Sequence, residues 1–319
     1  MKIAVFGPGA MGSIFAARFA RAGHSVTLIA RGKRLATLRA RGLWMQSATG
    51  GGAYQVTGIE ISDSLKADDD YDVILVTVQR SQIESAIPAL SASACKRIVL
   101  MFNCASGADQ WDEKLGAKRV FWGFPAALGE IINDVTHYTL LPGYLRLAQI
   151  TTLGRSNGPA DAPLKEIESL FNAAGLPAVC TNNMDAWLKT HAAFMAPLIA
   201  SGYIHEKRSG FHFTLSESIL ISTAIKECFA ALRRLNIRLT PVNMRLLGYV
   251  PVALFYPVLW LAFSNNFVKQ ALFGHAGHAA AEAEILFREL EELAGKTGLQ
   301  MPAMRELRSY IPSKERKNK

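Results

Sequence analysis

Two ionisable residues stand where apolar neighbours ordinarily exclude them. Lys189 heads a helical stretch, Met184 to Ala200, that from Ala192 onward is small and apolar, whereas surface lysines normally occupy a polar helix face. An ammonium projecting into a cleft from there could hand a proton to an oxygen on which negative charge develops. A lysine that snorkels to solvent is the competing reading. Glu282 precedes Leu286 by four residues and so shares the apolar stripe of Leu286, Leu290 and Leu293. An inward carboxylate is costly without a partner, so a cation or a ligand hydroxyl is expected beside it; the alternative is a glutamate that only stabilises the first turns of its helix. Glu284, two residues on, does not point the same way. Asn103 is a third candidate, directly after the apolar run Arg97 to Phe102, although an asparagine there also serves as a plain turn residue.

What these residues would act on is set at the other end of the chain. Lys2 to Phe6 reads as a buried strand, Gly7-Pro8-Gly9-Ala10-Met11-Gly12 follows at G-x-G-x-x-G spacing, and Ser13 to Ala22 has apolar residues at helical spacing. Strand, glycine turn and helix together form the dinucleotide-binding fingerprint. Gly7 permits the tight turn, Gly9 lets the backbone approach a pyrophosphate, and Gly12 brings helix and strand close, with the helix N-terminus facing the anion. Pro8 has no N–H and leaves the loop one donor fewer.

The second strand, Ser25 to Ile29, ends near Arg31, where an acidic residue would bind a ribose 2′-hydroxyl and an arginine accommodates a 2′-phosphate. Lys33 and Arg34 lie close behind, and no acidic residue occurs before Gly58, so NADP is expected over NAD. The competing reading is a set of solvated charges at the start of the helix Lys33 to Arg41. Past the strand Tyr71 to Val78 come Gln79, Arg80 and Gln82, at the carboxyl end where open α/β sheets place ligands.

The elements that would carry these residues fall into two blocks. Strands and helices alternate to about Cys180, with Ser81 and Glu84 reading as a capping box and Pro142-Gly143 as the turn of a hairpin between Thr136–Leu141 and Leu145–Thr152. From Met184 the pattern is helical throughout. The expected fold is an α/β Rossmann-type nucleotide-binding domain, residues 1–180, followed by an all-α C-terminal domain, residues 181–319, with the active site between them.

Composition excludes several classes. Of 319 residues half are hydrophobic and 19% charged, which is globular rather than disordered. The net charge of +9 has no basic recognition helix to go with it, so an anionic cofactor and substrate are expected and nucleic acid is not. Cys95, Cys104, Cys180 and Cys228 show no paired spacing, and the chain is expected to be cytoplasmic. Tyr249 to Phe263 is almost wholly apolar but short and interrupted by Pro251 and Pro257, so it reads as a buried or subunit-facing segment, consistent with a homodimer, and not as a stable membrane insertion. His275 and His278 have helical ligand spacing with no third ligand identifiable, so no metal is expected. No G-x-S-x-G elbow supports a serine triad.

Taken together, Lys2 to Gly12, Arg31, Asn103, Trp187-x-Lys189 and Glu282 some twenty residues before Pro302 make the chain resemble the ketopantoate reductase (2-dehydropantoate 2-reductase) family over essentially its whole length. The resemblance implies NADPH as hydride source, Lys189 as general acid, Asn103 as a nicotinamide-side contact, and Glu282 as a hydrogen-bond partner on the cofactor or substrate side. Gly7, Gly9, Ala10, Met11, Gly12, Arg31 and Gln79 would complete the cofactor site. The departures concern the substrate: the family's asparagines four and eight residues after the lysine are here Ala193 and Pro197, its serine and aspartate upstream of the glutamate fall on Gln270 and Gly274, and its lysine after the third long strand is Gln79. Reduction of a 2-oxo acid or related ketone less polar than ketopantoate is therefore expected. A catalytically idle NADP-binding regulatory protein and an opine- or 3-hydroxyacid-type dehydrogenase are the alternatives.

Overall fold

The computed structural model describes residues 1–141, 149–206, 213–263 and 280–312. They divide into two compact units, the first comprising Met1–Phe102 and Ala108–Asp185, the second Asn103–Gly107 and Ala186 onward.

In the first unit β1 (Lys2–Phe6) leads through the glycine turn into α1 (Ala10–Arg21), followed by β2 (Ser25–Ile29) and α2 (Gly32–Arg41). Three short strands come next, β3 (Leu43–Ser47), β4 (Tyr54–Val56) and β5 (Ile59–Ser62), and then β6 (Val73–Val76), α3 (Ile83–Ala92) and β7 (Ile98–Leu100). The unit continues with α4 (Asp109–Leu115), β8 (Val120–Phe124), β9 (Leu128–Ile132), β10 (Val135–Thr139), β11 (Thr151–Gly154), α5 (Ala162–Ala173) and β12 (Ala178–Thr181). The main sheet has the order β12-β11-β8-β7-β6-β1-β2-β5. From β5 to β8 all neighbours are parallel, and β11 runs antiparallel to β8. The apolar runs of β1, β6 and β7 are buried on both faces, as strands of a covered parallel sheet must be. Successive connections leave β1 in opposite directions, toward β2 and then toward β6, so the topological switch point lies at the carboxyl end of β1, beside the glycine turn.

Residues 42–65 hold β3 and β4 as well as β5, and these two join β10 and β9 in a separate four-stranded sheet, order β4-β3-β10-β9, that the alternating pattern of strands and helices did not anticipate. The turn expected at Pro142-Gly143 and most of its second strand lie outside the described residues, and the described strands on either side, β10 and β11, belong to different sheets. A tight hairpin is formed by β9 and β10, turned by Asn133 and Asp134 with φ of 48° and 68°, the left-handed pair that such a turn needs and that these residue types tolerate. Ser81 does not cap α3, whose N-cap is Gln82 without a side-chain bond. A capping box does occur elsewhere, at Thr214 and Glu217.

In the second unit every described element is a helix: α6 (Met184–Glu206, beginning at the unit boundary), α7 (Leu215–Arg234), α8 (Val242–Tyr249), α9 (Val252–Phe263), α10 (Ala280–Gly295) and α11 (Pro302–Arg308). Helix α7 is central, packing against α9, α10 and α11 around Ile221, Ile225, Phe229, Phe287 and Met304. The expected α/β Rossmann-type fold followed by an all-α region is thus the one observed. The apolar stretch Tyr249 to Phe263, expected to be buried or subunit-facing, buries Phe255 and Leu259 within the chain and leaves Tyr249, Leu254, Val258, Trp260 and Leu261 exposed on it. Among the described residues no helix is long and apolar enough to cross a membrane, and the four cysteines are free.

Candidate active site

The glycine turn is built by mutual exclusion. Gly7 has φ of +120°, a left-handed conformation open to glycine, and lies against the backbone of Thr77 and Val78. A Cβ on Gly12 would stand 1.9 Å from the Gly7 carbonyl oxygen and 2.6 Å from Thr77 Oγ1, so only hydrogen fits there. The Thr77 hydroxyl donates to the Gly7 carbonyl at 2.8 Å, pinning the turn to the end of β6. Gly9 differs: a Cβ there would meet nothing within 4 Å. It is the N-cap of α1 and brings no side-chain cap, which leaves the first-turn amides of Ala10, Met11 and Gly12 as the positive end of the helix.

In front of this turn lies a groove of about 620 Å³ lined by Phe6 to Gly9, Ile29, Arg31, Arg34, Thr77 to Gln79, Gln82, Ser85 and Ile131. Gly7, Gly9, Arg31 and Gln79, selected from sequence, therefore share one wall system within the first unit. The Met11 side chain instead packs against the core, so only its backbone is available to a ligand. Arg31 is exposed, its guanidinium 5.4 Å from the centre of the Phe6 ring. Arg80, beside Gln79, is turned over the Trp111 ring at 4.9 Å.

Arg34 emerges as a groove residue that the sequence reading mentioned without placing in the site. Its Nε donates to the Pro8 carbonyl at 3.3 Å and one terminal nitrogen to the Asp134 carbonyl at 3.2 Å. The other terminal nitrogen is buried without a hydrogen-bond partner, and burial lowers the guanidinium's pKa. A buried cationic donor left open beside a helix N-terminus is chemically suited to an anion such as phosphate. The signal in the sequence was its spacing, one helical turn past Arg31.

The other candidates belong to the second unit. Asn103 and Glu282, 179 positions apart in the chain, are brought together: Asn103 Nδ2 donates to Glu282 Oε1 at 2.7 Å. The partner expected for an inward Glu282 thus includes an asparagine amide. Asn103 Oδ1 is buried and has no partner, an open acceptor for a ligand N–H or O–H. Lys189 is half-buried on α6, followed on the same face by Ala192, Ala193, Ala196 and Ala200, each fully buried. Ala193 and Pro197 are both buried, and Ala193 is part of the helical core. Beside Lys189 the Trp187 and His191 rings stack at 5.0 Å, and desolvation pushes the imidazole down to about 4, so it is neutral at physiological pH. Gln270, Gly274, His275 and His278 lie outside the described residues, and among the described residues no cluster could hold a metal.

Glu289 was missed altogether. It is 3% exposed and stands two helical turns past Glu282, hence on the same face of α10. Its Oε2 accepts from the backbone N–H groups of Ala105 at 2.7 Å and Ser106 at 3.0 Å. One helix thus holds the 103–107 segment at two points, through Glu282 at the asparagine and through Glu289 just beyond it. Substituting Glu289→Ala would strand the buried Ala105 amide at about 1–3 kcal/mol, whereas the amide of exposed Ser106 can turn to water. The expected result in urea unfolding is a loss of about 1–3 kcal/mol, largely recovered by Glu289→Gln, which keeps an acceptor oxygen.

A parallel sheet with a glycine turn at its switch point, followed by an all-helical region, is the architecture of dinucleotide-binding α/β proteins. Within that class residues 3–129, which include the glycine turn, Arg31 and Asn103, match the family model described as ketopantoate reductase PanE/ApbA. A 2-dehydropantoate 2-reductase from Pyrococcus horikoshii is 24% identical over 217 residues, a match spanning 66% of this chain and 66% of that enzyme. Among solved structures, 2-dehydropantoate 2-reductase from Geobacter metallireducens GS-15 superposes with a TM-score of 0.75 at 16% identity, covering 98% of this chain and 99% of that one. A complex of D-mandelate dehydrogenase with NADH superposes with a TM-score of 0.72 at 16% identity, covering 99% of each chain. The chain therefore has the ketopantoate reductase fold.

Proposed function

We propose that this protein is an oxidoreductase that uses NADPH to reduce a 2-oxo acid or related ketone to the hydroxy compound. The observation that carries the reading is the Asn103–Glu282 hydrogen bond with its open Asn103 Oδ1. Two residues chosen for their roles in ketopantoate reduction, far apart in the chain, form one polar pair, and the buried Asn103 Oδ1 has no hydrogen-bond partner.

The residues fit the cofactor that this reading requires. The first-turn amides of α1 and the open face of Gly9 would hold the pyrophosphate, and Arg31 with the unpaired nitrogen of Arg34 would take the 2′-phosphate. A D-mandelate dehydrogenase of this fold was solved with NADH, so the preference for NADPH rests on these two arginines and not on the fold. When bound, the cofactor supplies the hydride. Lys189 holds the proton that the substrate's carbonyl oxygen receives, and its charge stabilises that oxygen as negative charge grows on it. Asn103 Oδ1 accepts from the nicotinamide side, and Glu282 orients Asn103 through the hydrogen bond from its amide. Ala193 and Pro197, standing where the family resembled has asparagines, offer no polar side chain to a substrate, which favours a less polar 2-oxo acid or ketone over ketopantoate. The free cysteines suit a reducing cytoplasm.

The reading is tested by following NADPH oxidation across a panel of 2-oxo acids and aryl or branched ketones, with NADH in parallel. Turnover of at least one less polar member is expected, with NADPH preferred and the preference reduced by roughly tenfold or more in Arg31→Ala, on the scale of one charge-assisted hydrogen bond. Tight NADPH binding with no turnover on any member would overturn the enzymatic reading, and equal use of NADH would overturn the role of Arg31.

A further inference from the structure

Helices α8 and α9 carry apolar side chains that stand exposed among the described residues. On α8, Val242, Leu246 and Tyr249 recur at i, i+4 and i+7, and on α9 Leu254, Val258 and Leu261 do the same; these six side chains are between 58% and 71% exposed. Trp260 adds an exposed indole at 43%. Opposite this stripe Phe255 and Leu259 are buried against α7, so α9 is apolar all round while only one side of it is packed. At 12 residues α9 is about 18 Å long, too short to span a bilayer core.

The charges around this face have one sign. From Cys228 to Ala281 the sequence contains no Asp or Glu, while Arg233, Arg234, Arg238 and Arg245 fall just before or within the two helices. Arg233 donates to the Gly248 carbonyl at 3.0 Å and lies 5.7 Å from the centre of the exposed Tyr249 ring, which sets a guanidinium at the edge of the stripe. Lys226 donates to the neighbouring Leu247 carbonyl, so two cations gather at the C-terminal end of α8. The carboxylates of α7 are committed elsewhere: Glu217 closes the capping box with Thr214, and Glu227 accepts from the Ala303 and Met304 amides at the start of α11.

We propose that the α8–α9 face docks this protein on an anionic lipid surface, lying in the interface without crossing it. A short helix pair with a wide apolar stripe, aromatic residues of interfacial type and arginines without counter-ions matches what such a surface offers, namely acyl chains for the stripe and anionic headgroups for the cations. A second copy of the same face is the poorer occupant, because α8 and α9 bring no carboxylate to pair with the arginines of a partner.

The test is co-sedimentation of the full chain with vesicles of phosphatidylcholine alone and of phosphatidylcholine mixed with phosphatidylglycerol. The expected result is pelleting with the mixed vesicles only, lost on raising the salt to about 0.5 M, where charges beyond a few ångströms are screened. Leu254→Ser/Leu261→Ser, on exposed positions, should bind the mixed vesicles at least tenfold more weakly with an unchanged thermal melt. No pelleting with anionic vesicles, or equal pelleting by the double variant, overturns the proposal. So does a parent that sediments as a dimer in solution while the double variant is a monomer, since the face would then be a subunit interface.

Discussion

Gly12→Ala is expected to abolish dinucleotide binding and to destabilise the first unit at the same time. The new methyl carbon would be placed 1.9 Å from the Gly7 carbonyl oxygen, a separation that no relaxed structure tolerates. Relief requires α1 to move away from β1. That helix cannot move cheaply, because Ile14, Phe15 and Phe19 are fully buried and the two rings pack edge-on against Phe171 of α5. Overpacking of this kind costs about 1–3 kcal/mol, and the Thr77 bond that pins the turn would be strained with it. Gly9→Ala separates the two effects. Its φ of −70° is open to alanine and its Cβ meets nothing, so the melting temperature should stay within about 1–2 °C of the parent while NADPH affinity falls, because the methyl group occupies the space kept for phosphate. Calorimetric titration with NADPH and thermal melts of both variants measure this. If Gly9→Ala bound NADPH as tightly as the parent, the turn would not be the pyrophosphate site.

The nucleotide half of the protein was readable because its signals are local. The strand, the three glycines and the helix of the first unit are contiguous, and the steric reasons for each glycine do not depend on the rest of the fold. Arg31 could be singled out for the same reason, and the structure places it on the groove wall. Arg34 was not, because what singles it out is a burial created by Pro8 and by Asp134 in a hairpin a hundred residues away. The small second sheet was missed because β3 and β4 are three to five residues long among glycines, although Asn133-Asp134 between two alternating runs was a usable hairpin signal. Glu289 was hidden by composition: with Glu291 and Glu292 beside it, it looks like part of a solvated acidic face. Only its spacing from Glu282 and its place among Leu286, Phe287 and Leu290 mark it as inward, and only the fold supplies the amides that satisfy it. In the apolar stretch Tyr249 to Phe263 the sequence does not say which side is covered, for a related reason. Hydrophobicity predicts burial when a partner surface exists, and α7 covers one side of α9 alone.

Replacing Lys189 by methionine, which keeps the length of the side chain and removes the charge, is expected to lower kcat by roughly 10²–10⁴ while NADPH affinity is kept. The groove assigned to the cofactor draws its walls from the first unit, whereas Lys189 stands on α6 of the second. Its backbone is fixed independently of its own side chain: Ala192, Ala193, Ala196 and Ala200 lock the following turns of α6 into the helical core, and the Thr190 hydroxyl bonds the Ala186 carbonyl at 2.7 Å. The variant should therefore fold and melt like the parent, and the loss would report chemistry. Lys189→Arg should recover little, since a guanidinium keeps the charge but does not give up its proton. Recovery by arginine to near-parent turnover would mean that charge alone matters at this position and that the proton comes from elsewhere. Unchanged turnover in Lys189→Met would remove the lysine from the reaction, and the Asn103–Glu282 pair would then be the place to look for the group that polarises the carbonyl.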